Sequence, residues 1–421
     1  MIIKKPKGTK DILPDEVYKW KYIEGRFFDV CRRFGYKEIR LPVFEHTELF
    51  TRGVGDTTDI VQKEMYTFLD KGNRSLTLRP EGTAGVARSF IENSMGSKVM
   101  PVKLCYNITA YRYENVQKGR YREFHQLGVE AFGEESSLID VEVIALLNLF
   151  LKEAGLKNIS LNINSIGCPK CRMEYNKKLK EFLLPKLDQM CGLCKDRFSK
   201  NPLRILDCKN DKCMELVKGA PFLLDCLCDE CNSHFESLKS GLDNLKISYN
   251  IDKGIVRGLD YYTKTVFEFI SNDIGAKGAV CGGGRYDGLI EQCGGKKTPG
   301  VGFAVGVERL LLLLEHQGVD ILDEDEIDIY IASVDDKRDV VQRLANELRC
   351  NGISSSYDLS NRSLKAQMKY ADKIKAKYST VIGENETTSG ICVLKNMENG
   401  NKKEVKLENL RDELEEEIKN G

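Results

Sequence analysis

The sequence predicts a body of mixed helices and strands that is interrupted by a Cys-rich insertion and followed by a small α/β domain. Three observations indicate this organisation. Two strand-like segments flank a basic loop at 114–122, and nine cysteines are concentrated between 168 and 231. Beyond an acidic linker at 323–326, strand-like and helix-like segments alternate. A chain of 421 residues is long enough to build these parts around separate cores.

The composition is that of an ordinary soluble protein, with 41% hydrophobic and 30% charged residues. Acidic and basic residues number 64 each, so binding to nucleic acid would depend on local basic patches. The start, MIIKKPKGTKD, lacks the apolar core of a signal peptide, and no stretch approaches the length of a membrane span. Fifteen cysteines in such a chain favour reduced thiols or metal binding over disulfides. We therefore expect a cytoplasmic protein with no membrane partner.

The first body segments predict a helix followed by a strand. Pro14 begins a helix that runs to about Arg33, with acidic residues in its first turn and Gly35 as its stop. The strand at 37–43 contains Pro42, which removes a ladder donor and suits either the edge of a sheet or a junction with a partner. The residues alone leave both readings open.

The segment TLRPEGT at 77–83 predicts a rigid polar loop at the start of an apolar helix. Within it, Glu81 is either an ordinary acid of a first helical turn or a carboxylate that receives a substrate ammonium group.

The basic loop at 114–122 lies between a predicted strand at 102–113 and an alternating strand at 123–132. The period of two gives the second strand two distinct faces. One face carries Phe124, Gln126, Gly128 and Glu130, and the other carries His125, Leu127, Val129 and Ala131. An amide and a carboxylate thus flank a glycine, which leaves room for a small polar ligand.

Charged groups accompany the amide and the carboxylate. Arg112 and Glu114 share a face of the first strand, and the loop adds Arg120 between Lys118 and Arg122. These features together favour a phosphorylated ligand bound beside an amine. Taken alone, the stretch also fits a solvated hairpin with surface ion pairs.

Three later stretches add aromatic and glycine-rich features. In IVRGLDYYTKTVFEF at 255–269, Arg257 ends a strand, and Tyr261 and Tyr262 offer stacking surface and hydroxyls to a flat polar ring such as imidazole. In AVCGGGRYDGL at 279–289, three glycines permit close backbone approach to a ligand. The segment 300–314 predicts a strand that runs into a buried helix, and its glycines lack the spacing of a dinucleotide fingerprint.

Taken together, these stretches resemble the histidyl-tRNA synthetase family of class II aminoacyl-tRNA synthetases. KGTKDILP at 7–14 resembles the family's opening, 37–43 its motif 1, 111–133 its motif 2 and 300–314 its motif 3. The stretches 255–269 and 279–289 resemble its two histidine-specific signatures. The resemblance implies an α+β catalytic domain with an antiparallel sheet and flanking helices, at 1–167 and 246–322. It also implies a Cys-rich insertion domain at 168–245 and a C-terminal α/β anticodon-binding domain at 326–421.

The resemblance implies a role for each site residue. The histidine-binding residues would be Glu81, Thr83, Gln126, Glu130, Tyr261, Tyr262 and Tyr286. Arg112 and Arg257 would act on the α-phosphate, and ATP would also be bound by Glu114, Arg120, Gly300, Gly302 and Arg309. In this arrangement the glycines at 300 and 302 leave the sheet bare beneath adenine.

The family's reaction joins L-histidine, ATP with Mg²⁺ and tRNA(His), and motif 1 would make the chain a homodimer. Two other functions compete. One is a synthetase for another amino acid, which the stretches around Arg257 and Gly282 argue against. The other is a non-catalytic, synthetase-like histidine-sensing regulatory subunit; such paralogues lose the C-terminal domain or the phosphate-binding arginines, and this sequence has both.

The C-terminal domain contains a basic helical segment at 362–377. It holds Arg362, Lys365, Lys369, Lys373, Lys375 and Lys377 against one acid, Asp372. A charge run of this kind is usually a solvated face. The resemblance to an anticodon-binding domain favours contact with RNA.

The insertion carries its cysteines as closely spaced pairs, and Cys226 is left over. The pairs are Cys168 and Cys171, Cys191 and Cys194, Cys208 and Cys213, and Cys228 and Cys231. Two such pairs make a closed tetrahedral Zn²⁺ site, so four pairs predict up to two structural sites whose pairing the sequence leaves open. The alternative is a set of reduced thiols that pack as small hydrophobic groups.

Overall fold

The structure of the chain is a computed structural model. It describes all residues except 1, 56–57, 207, 209, 256–258, 272, 274–278, 323–325, 335 and 421, and it leaves out the side chains of 200 and 420. The chain divides into two compact units, Met1–Ile321 and Leu322–Gly421. Within the part of the chain that is described, no helix combines the length and apolar character needed to cross a bilayer.

The first unit contains three groups of elements: a large sheet, a small sheet and the helices around them. Its strands are β1 (Lys37–Glu38), β2 (Phe44–His46), β3 (Tyr66–Leu69), β4 (Ser75–Leu78), β5 (Val102–Tyr111), β6 (Glu123–Phe132), β7 (Ile159–Ser165), β8 (Asn250–Ile251), β9 (Thr263–Ser271), β10 (Ala279–Arg285) and β11 (Gly300–Gly306). Its α-helices are α1 (Pro14–Arg33), α2 (Thr47–Val54), α3 (Thr83–Glu92), α4 (Ser137–Glu153), α5 (Pro169–Leu183), α6 (Gly192–Lys200), α7 (Asp211–Leu216), α8 (Asp229–Asn244), α9 (Leu289–Gln292) and α10 (Val307–His316).

The large sheet has eight strands in the order β1-β5-β6-β11-β10-β9-β7-β8. All neighbours from β5 to β7 in this order are antiparallel, and β1 and β8 pair in parallel at the two edges. The predicted α+β catalytic domain with an antiparallel sheet and flanking helices is therefore confirmed.

The two faces of β6 are those that its alternation predicts. Leu127 and Val129 are fully buried in a core that also contains Phe27 of α1, Phe150 of α4 and Leu310 of α10. The opposite face turns Glu130 towards a second cluster, which contains Tyr106, Tyr286 and residues of α3. Helices α1, α4 and α10 thus cover one side of the sheet, and the polar groups of the predicted site gather on the other side, beside α3.

The segment after α1 differs from the prediction. Only Lys37–Glu38 of the predicted strand 37–43 joins the large sheet, and Phe44–His46 joins a separate small sheet of order β2-β4-β3. The reason is visible at Arg79, whose Nη1 donates to the carbonyl oxygens of Leu41 and Pro42 at 2.7 and 3.0 Å. Since those carbonyls are occupied by a side chain, they do not pair with a neighbouring strand.

The insertion consists of short helices around a small core. Buried Tyr175, Leu179, Leu183 and Ile205 pack there against cysteine side chains. Its last helix, α8, packs against α4 and contributes Phe235 and Leu238 to the main core.

The second unit is a five-stranded sheet with helices, as the alternating pattern predicts. Its elements are β12 (Ile329–Ser333), α11 (Arg338–Cys350), β13 (Ser355–Tyr357), α12 (Leu364–Lys373), β14 (Tyr378–Ile382), α13 (Glu384–Ser389), β15 (Ile391–Asn396), β16 (Lys402–Lys406) and α14 (Leu410–Asn420). The strand order is β13-β12-β14-β15-β16. Of the predicted helical segment 362–377, only Leu364–Lys373 is helical, because the chain turns at Lys375 with a φ of 53°.

Candidate active site

Glu130 lies at the centre of the candidate site and is fully buried. Its Oε1 accepts hydrogen bonds from Thr83 Oγ1 at 2.7 Å and from the hydroxyl of Tyr106 at 3.0 Å. The hydroxyl of Tyr286 donates to its Oε2. Burial raises the pKa of Glu130 to about 8, although these hydroxyls favour the carboxylate. A carboxyl group with this pKa changes charge close to neutral pH.

Glu81 is also buried and lies at the start of α3. Its two oxygens accept the backbone N–H groups of Thr83 at 2.6 Å and Ala84 at 2.8 Å. Glu81 therefore stabilises the first turn of the helix. This is the first of the two roles that the sequence left open, that of an ordinary acid in a first helical turn. Burial raises the pKa of the Glu81 carboxyl group. Through Thr83, which also binds Glu130, the two carboxylates belong to one pocket.

Three tyrosines line the pocket beside these carboxylates. The rings of Tyr261 and Tyr262 lie 4.7 Å apart, and Tyr286 meets Tyr261 edge to face at 5.5 Å. All three are at least 95% buried. The predicted histidine-binding tyrosines are thus brought together next to Glu130.

The glycines of this region play a different part from the predicted one. A Cβ at Gly128 would come within 2.4 Å of Tyr106, and Cβ atoms at Gly300 and Gly302 would come within 2.5 Å of Tyr286 and 2.0 Å of Glu130. The space above these positions is filled by protein side chains, so the predictions of room for a ligand at Gly128 and of a bare sheet at Gly300 and Gly302 are wrong. Open space on β11 lies instead at Gly306, where a Cβ would meet nothing within 4 Å.

Two of the three consecutive glycines of β10 lie against the neighbouring strands. Cβ atoms at Gly283 and Gly284 would come within 2.2 Å of the Gly302 carbonyl oxygen and 2.5 Å of the Thr265 carbonyl oxygen. Their close approach is to the neighbouring strands.

Gln126 lies on the same face of β6 as Glu130. Its Oε1 is buried and has no hydrogen-bond partner among the residues described. A buried amide oxygen of this kind is costly to leave without a donor, which makes it a candidate for contact with a ligand.

The predicted phosphate-binding groups form a second cluster around the basic loop. Arg112 donates from Nε to the Pro80 carbonyl at 2.8 Å and stacks over Phe124 with 5.2 Å between guanidinium carbon and ring centre. Glu114 lies 3.7 Å from the guanidinium groups of both Arg112 and Arg120.

Arg309 lies beside the tip of this loop, since a Cβ at Gly119 would meet its Cγ at 3.5 Å. Burial and the nearby charge of Arg120 lower the pKa of Arg309. Arg257 lies outside the described residues.

A buried ion-pair network behind the pocket was not predicted. Arg285 and Asp140 are both fully buried, and Arg285 Nη2 donates to Asp140 Oδ1 at 2.6 Å. Asp140 Oδ2 also accepts from Thr265 Oγ1 at 2.6 Å and lies 2.9 Å from the His234 ring. Burial opposes the charge of Asp140, but Arg285 and His234 outweigh it and lower its pKa. Because Arg285 precedes Tyr286, the network positions one wall of the pocket.

A second unpredicted contact joins motifs 2 and 3. Glu308 of α10 accepts the backbone N–H of His125 at 2.9 Å and lies 2.9 Å from the Nδ1 atom of its ring. Trp20 packs edge to face on the same ring at 4.8 Å. The spacing of a single helix or strand carries no signal for such contacts between distant segments.

The cysteines of the insertion form two clusters. We call Cys168, Cys171, Cys228 and Cys231 the first cluster and Cys191, Cys194, Cys208 and Cys213 the second cluster. Within each cluster all Sγ atoms lie within 4.8 Å of one another. The sequence left the pairing open, and the structure brings the first pair to the fourth and the second pair to the third.

In the second unit, the basic segment separates into two groups. Arg362 binds the buried carboxylate of Asp358, and Lys377 lies 3.2 Å from Asp328. The exposed lysines at i, i+4 and i+8 of α12 form one stripe: Lys365, Lys369 and Lys373.

Comparison with known proteins gives consistent matches over the whole chain. The family model described as Histidyl-tRNA synthetase matches residues 8–170 and 221–310, and the Anticodon binding domain model matches 328–417. The Histidyl-tRNA synthetase model leaves out 171–220, which holds the second cluster.

Full-length relatives agree. A histidine–tRNA ligase of Acetivibrio thermocellus is 64% identical over 97% of this chain and 99% of its own length. One from Caldanaerobacter subterraneus subsp. tengcongensis is 54% identical over the full length of both chains. The crystal structure of the apo histidyl-tRNA synthetase of S. aureus aligns with a TM-score of 0.85 at 42% identity, over 98% of this chain and 100% of that one. This chain belongs to the histidyl-tRNA synthetase family.

Proposed function

We propose that this chain activates L-histidine with ATP to histidyl-adenylate and transfers histidine to the 3′ end of tRNA(His) in the cytoplasm. The observation that carries the proposal is the buried cluster in which Glu130 accepts the hydroxyl groups of Thr83, Tyr106 and Tyr286 beside Tyr261 and Tyr262, in a chain of this family. In the first step the histidine carboxylate attacks the α-phosphorus of ATP and pyrophosphate leaves. In the second, the adenylate passes histidine to the terminal adenosine.

The pocket suits the two ends of histidine. Glu130 would accept the single N–H group of neutral imidazole, and Tyr262 would complete the polar contacts around the ring. The amide oxygen of Gln126 would accept an N–H group elsewhere on the ligand. Glu81 and Thr83 would hold the α-ammonium group, since the Glu81 carboxylate keeps acceptor capacity beyond its two backbone bonds. A site built from such groups rejects analogues that leave them unpaired.

Catalysis would consist of alignment and charge stabilisation, because the reaction needs no protein nucleophile. Arg112 and Arg257 would bind the α-phosphate, and Arg309 the outer phosphates together with the basic loop. Mg²⁺ would be bound together with ATP as its counter-ion. The carboxylate of Glu114, which lies between Arg112 and Arg120, would be a ligand for this ion. Contact of Arg112 with Pro80 links this cluster to the loop that holds Glu81.

The regulatory-subunit alternative is disfavoured. The anticodon-binding match at 328–417 and the arginines at 112, 257 and 309 are retained, and relatives at 52–64% identity over nearly the full chain carry the name histidine–tRNA ligase.

Replacing Glu130 by glutamine tests the histidine pocket. We expect the KM for histidine in ATP–pyrophosphate exchange to rise about 100-fold or more, with a small change in the KM for ATP, because a mismatched polar site loses its selectivity. Since Glu130 must lose its proton to accept an N–H group of neutral imidazole, the wild-type KM for histidine should fall as the pH rises through about 8. In the glutamine variant, the KM for histidine should still vary with the titration of free histidine, but it should lose the pH dependence that Glu130 causes. Equal pH profiles of the two proteins would contradict the role of Glu130.

The lysine stripe of α12 tests contact with RNA. Replacing Lys365, Lys369 and Lys373 together by alanine should raise the KM for tRNA about tenfold or more and lower the salt slope of tRNA binding by about one per lysine, while histidyl-adenylate formation stays normal. The matched control replaces three lysines elsewhere in the same unit: Lys402, Lys406 and Lys419. If both triple variants charge tRNA alike, the stripe is only a solvated face.

We also propose a homodimer formed around motif 1. The small sheet exposes large apolar side chains beside that segment: Phe44, Phe68 and Leu69 are 53, 44 and 65% exposed. A second copy of the chain would cover them. Sedimentation equilibrium should give twice the mass of the chain, and a monomer at micromolar concentration would exclude the proposal.

Structural Zn²⁺ in the insertion is the last part of the proposed function. Thiolates at these spacings fit a closed tetrahedral site, which leaves no open position for chemistry. We expect about two Zn²⁺ per chain, one per tetrathiolate cluster, in protein purified without added metal, and about one in either Cys213→Ser or Cys231→Ser. Cys226→Ser, outside both clusters, is the control and should keep both ions. A Zn²⁺ content below one ion per chain would show that the cysteines are reduced thiols that pack as small hydrophobic groups.

A further inference from the structure

The loop that carries Tyr261 and Tyr262 is held by the insertion. The carboxylate of Asp260, directly before the tyrosines, accepts from Arg204 Nη2 at 2.9 Å and Nε at 3.2 Å. Asn201 Nδ2 donates to the same oxygen at 3.2 Å. Arg204 is only 7% exposed and the Asp260 side chain is 26% exposed, so this ion pair is screened less than a pair of fully exposed side chains.

The other side of Asp260 contacts the segment after α2. Its backbone N–H donates to the Val54 carbonyl at 3.3 Å, and a Cβ at Gly55 would come within 2.8 Å of its carboxylate. Asp260 is therefore fixed between the catalytic body and the insertion. Because Asp260 directly precedes Tyr261, its position fixes the backbone position of Tyr261.

The segment that supplies Asn201 and Arg204 lies, in sequence, between two cysteines of the second cluster. Cys194 precedes it and Cys208 follows Arg204 by four residues. The Cys208 N–H donates to the carbonyl of buried Ile205 at 3.2 Å. The guanidinium of Arg197 in α6 donates to the Arg204 carbonyl at 2.9 Å. A metal ion that joins Cys194 to Cys208 would close this loop at both ends and restrict the positions open to Arg204.

We propose that the second cluster, with Zn²⁺ bound, is a positioning element for the histidine pocket. The ion holds the 201–204 segment, Arg204 and Asn201 hold Asp260, and Asp260 places Tyr261 and Tyr262. Arg204 and Asp260 are positioning residues, since they act through Tyr261 and Tyr262. The inference rests on the proposed role of the pocket and assigns it a support that lies in 171–220, outside the segments matched by the family model.

A double-mutant cycle tests the contact. In ATP–pyrophosphate exchange, Arg204→Gln and Asp260→Asn should each raise the KM for histidine about tenfold, while kcat and the KM for ATP stay within about twofold. The double variant should be no worse than either single one, and Arg204→Lys should recover part of the loss. Lys178→Ala, an exposed cation elsewhere in the insertion, is the control.

Two further measurements separate the possible causes. Cys213→Ser should lose one Zn²⁺, show the same rise in the KM for histidine, and gain no further effect from Arg204→Gln. Hydrogen exchange at the 259–262 amides should accelerate in Arg204→Gln and Cys213→Ser, whether or not substrate is present. Additive effects, or a normal KM for histidine in a folded Arg204→Gln protein that keeps both ions, would overturn the inference. Failure of wild-type protein to exchange with histidine would instead overturn the proposed function.

Discussion

Replacing Arg112 by alanine is expected to lower ATP–pyrophosphate exchange by about 100-fold or more, because loss of one preorganised charge on a transferring phosphoryl group typically costs this much. Arg112 is already oriented by its bond to the Pro80 carbonyl and its stacking on Phe124, so in the proposed role its guanidinium would bind the phosphate without reorganisation. Histidine binding at Glu130 should change little.

Arg112→Lys separates charge from geometry. Lysine keeps the charge but lacks the planar fork, so an intermediate rate is expected. Arg74→Ala removes an exposed arginine that pairs with Asp70 on the β3–β4 turn and serves as the matched control. Near-normal exchange in a folded Arg112→Ala protein would remove Arg112 from the mechanism.

Asp140→Ala should produce the largest loss of stability, about 3–5 kcal/mol, because it removes the fully buried carboxylate that pairs with Arg285 and leaves this buried guanidinium with the partly exposed Asp287. The network joins α4, β9, β10 and α8, so the loss should appear as a lower midpoint of thermal unfolding and as weaker histidine binding through Tyr286. The double variant Asp140→Leu/Arg285→Met should recover stability, since it leaves no unpaired buried charge.

Glu153→Ala is the control for this experiment, because it breaks a more exposed ion pair with Arg33 and should change the unfolding midpoint little. An Asp140→Ala protein as stable as the Glu153→Ala protein would contradict the structural role of the network.

The elements that depend on local pattern were predictable from sequence. Helix α1 has its predicted bounds, and the alternation of β6 places Glu130 and Leu127 on opposite faces as expected. These properties follow from periodicity and from residues such as Pro14 and Gly35, which act within one segment.

What the sequence could not supply depends on contacts between distant segments. The space above Gly128 is taken by Tyr106 of β5, and the space above Gly300 by Tyr286, which directly follows β10. Both contacts follow from strand register. The pairing of the cysteines across 60 residues is of the same kind, since Cys168 meets Cys228 only after the insertion has folded. For the same reason the bond between Asp260 and Arg204 has no signature in either segment.

The most direct test of the central claim is ATP–pyrophosphate exchange with each of the standard amino acids in turn, followed by charging of tRNA with the amino acid that supports exchange. A pocket in which Glu130, Gln126 and three tyrosines surround the ligand predicts exchange with histidine alone, and charging of tRNA(His). Equal exchange with another amino acid, or none with histidine in folded, zinc-loaded protein, would contradict the account.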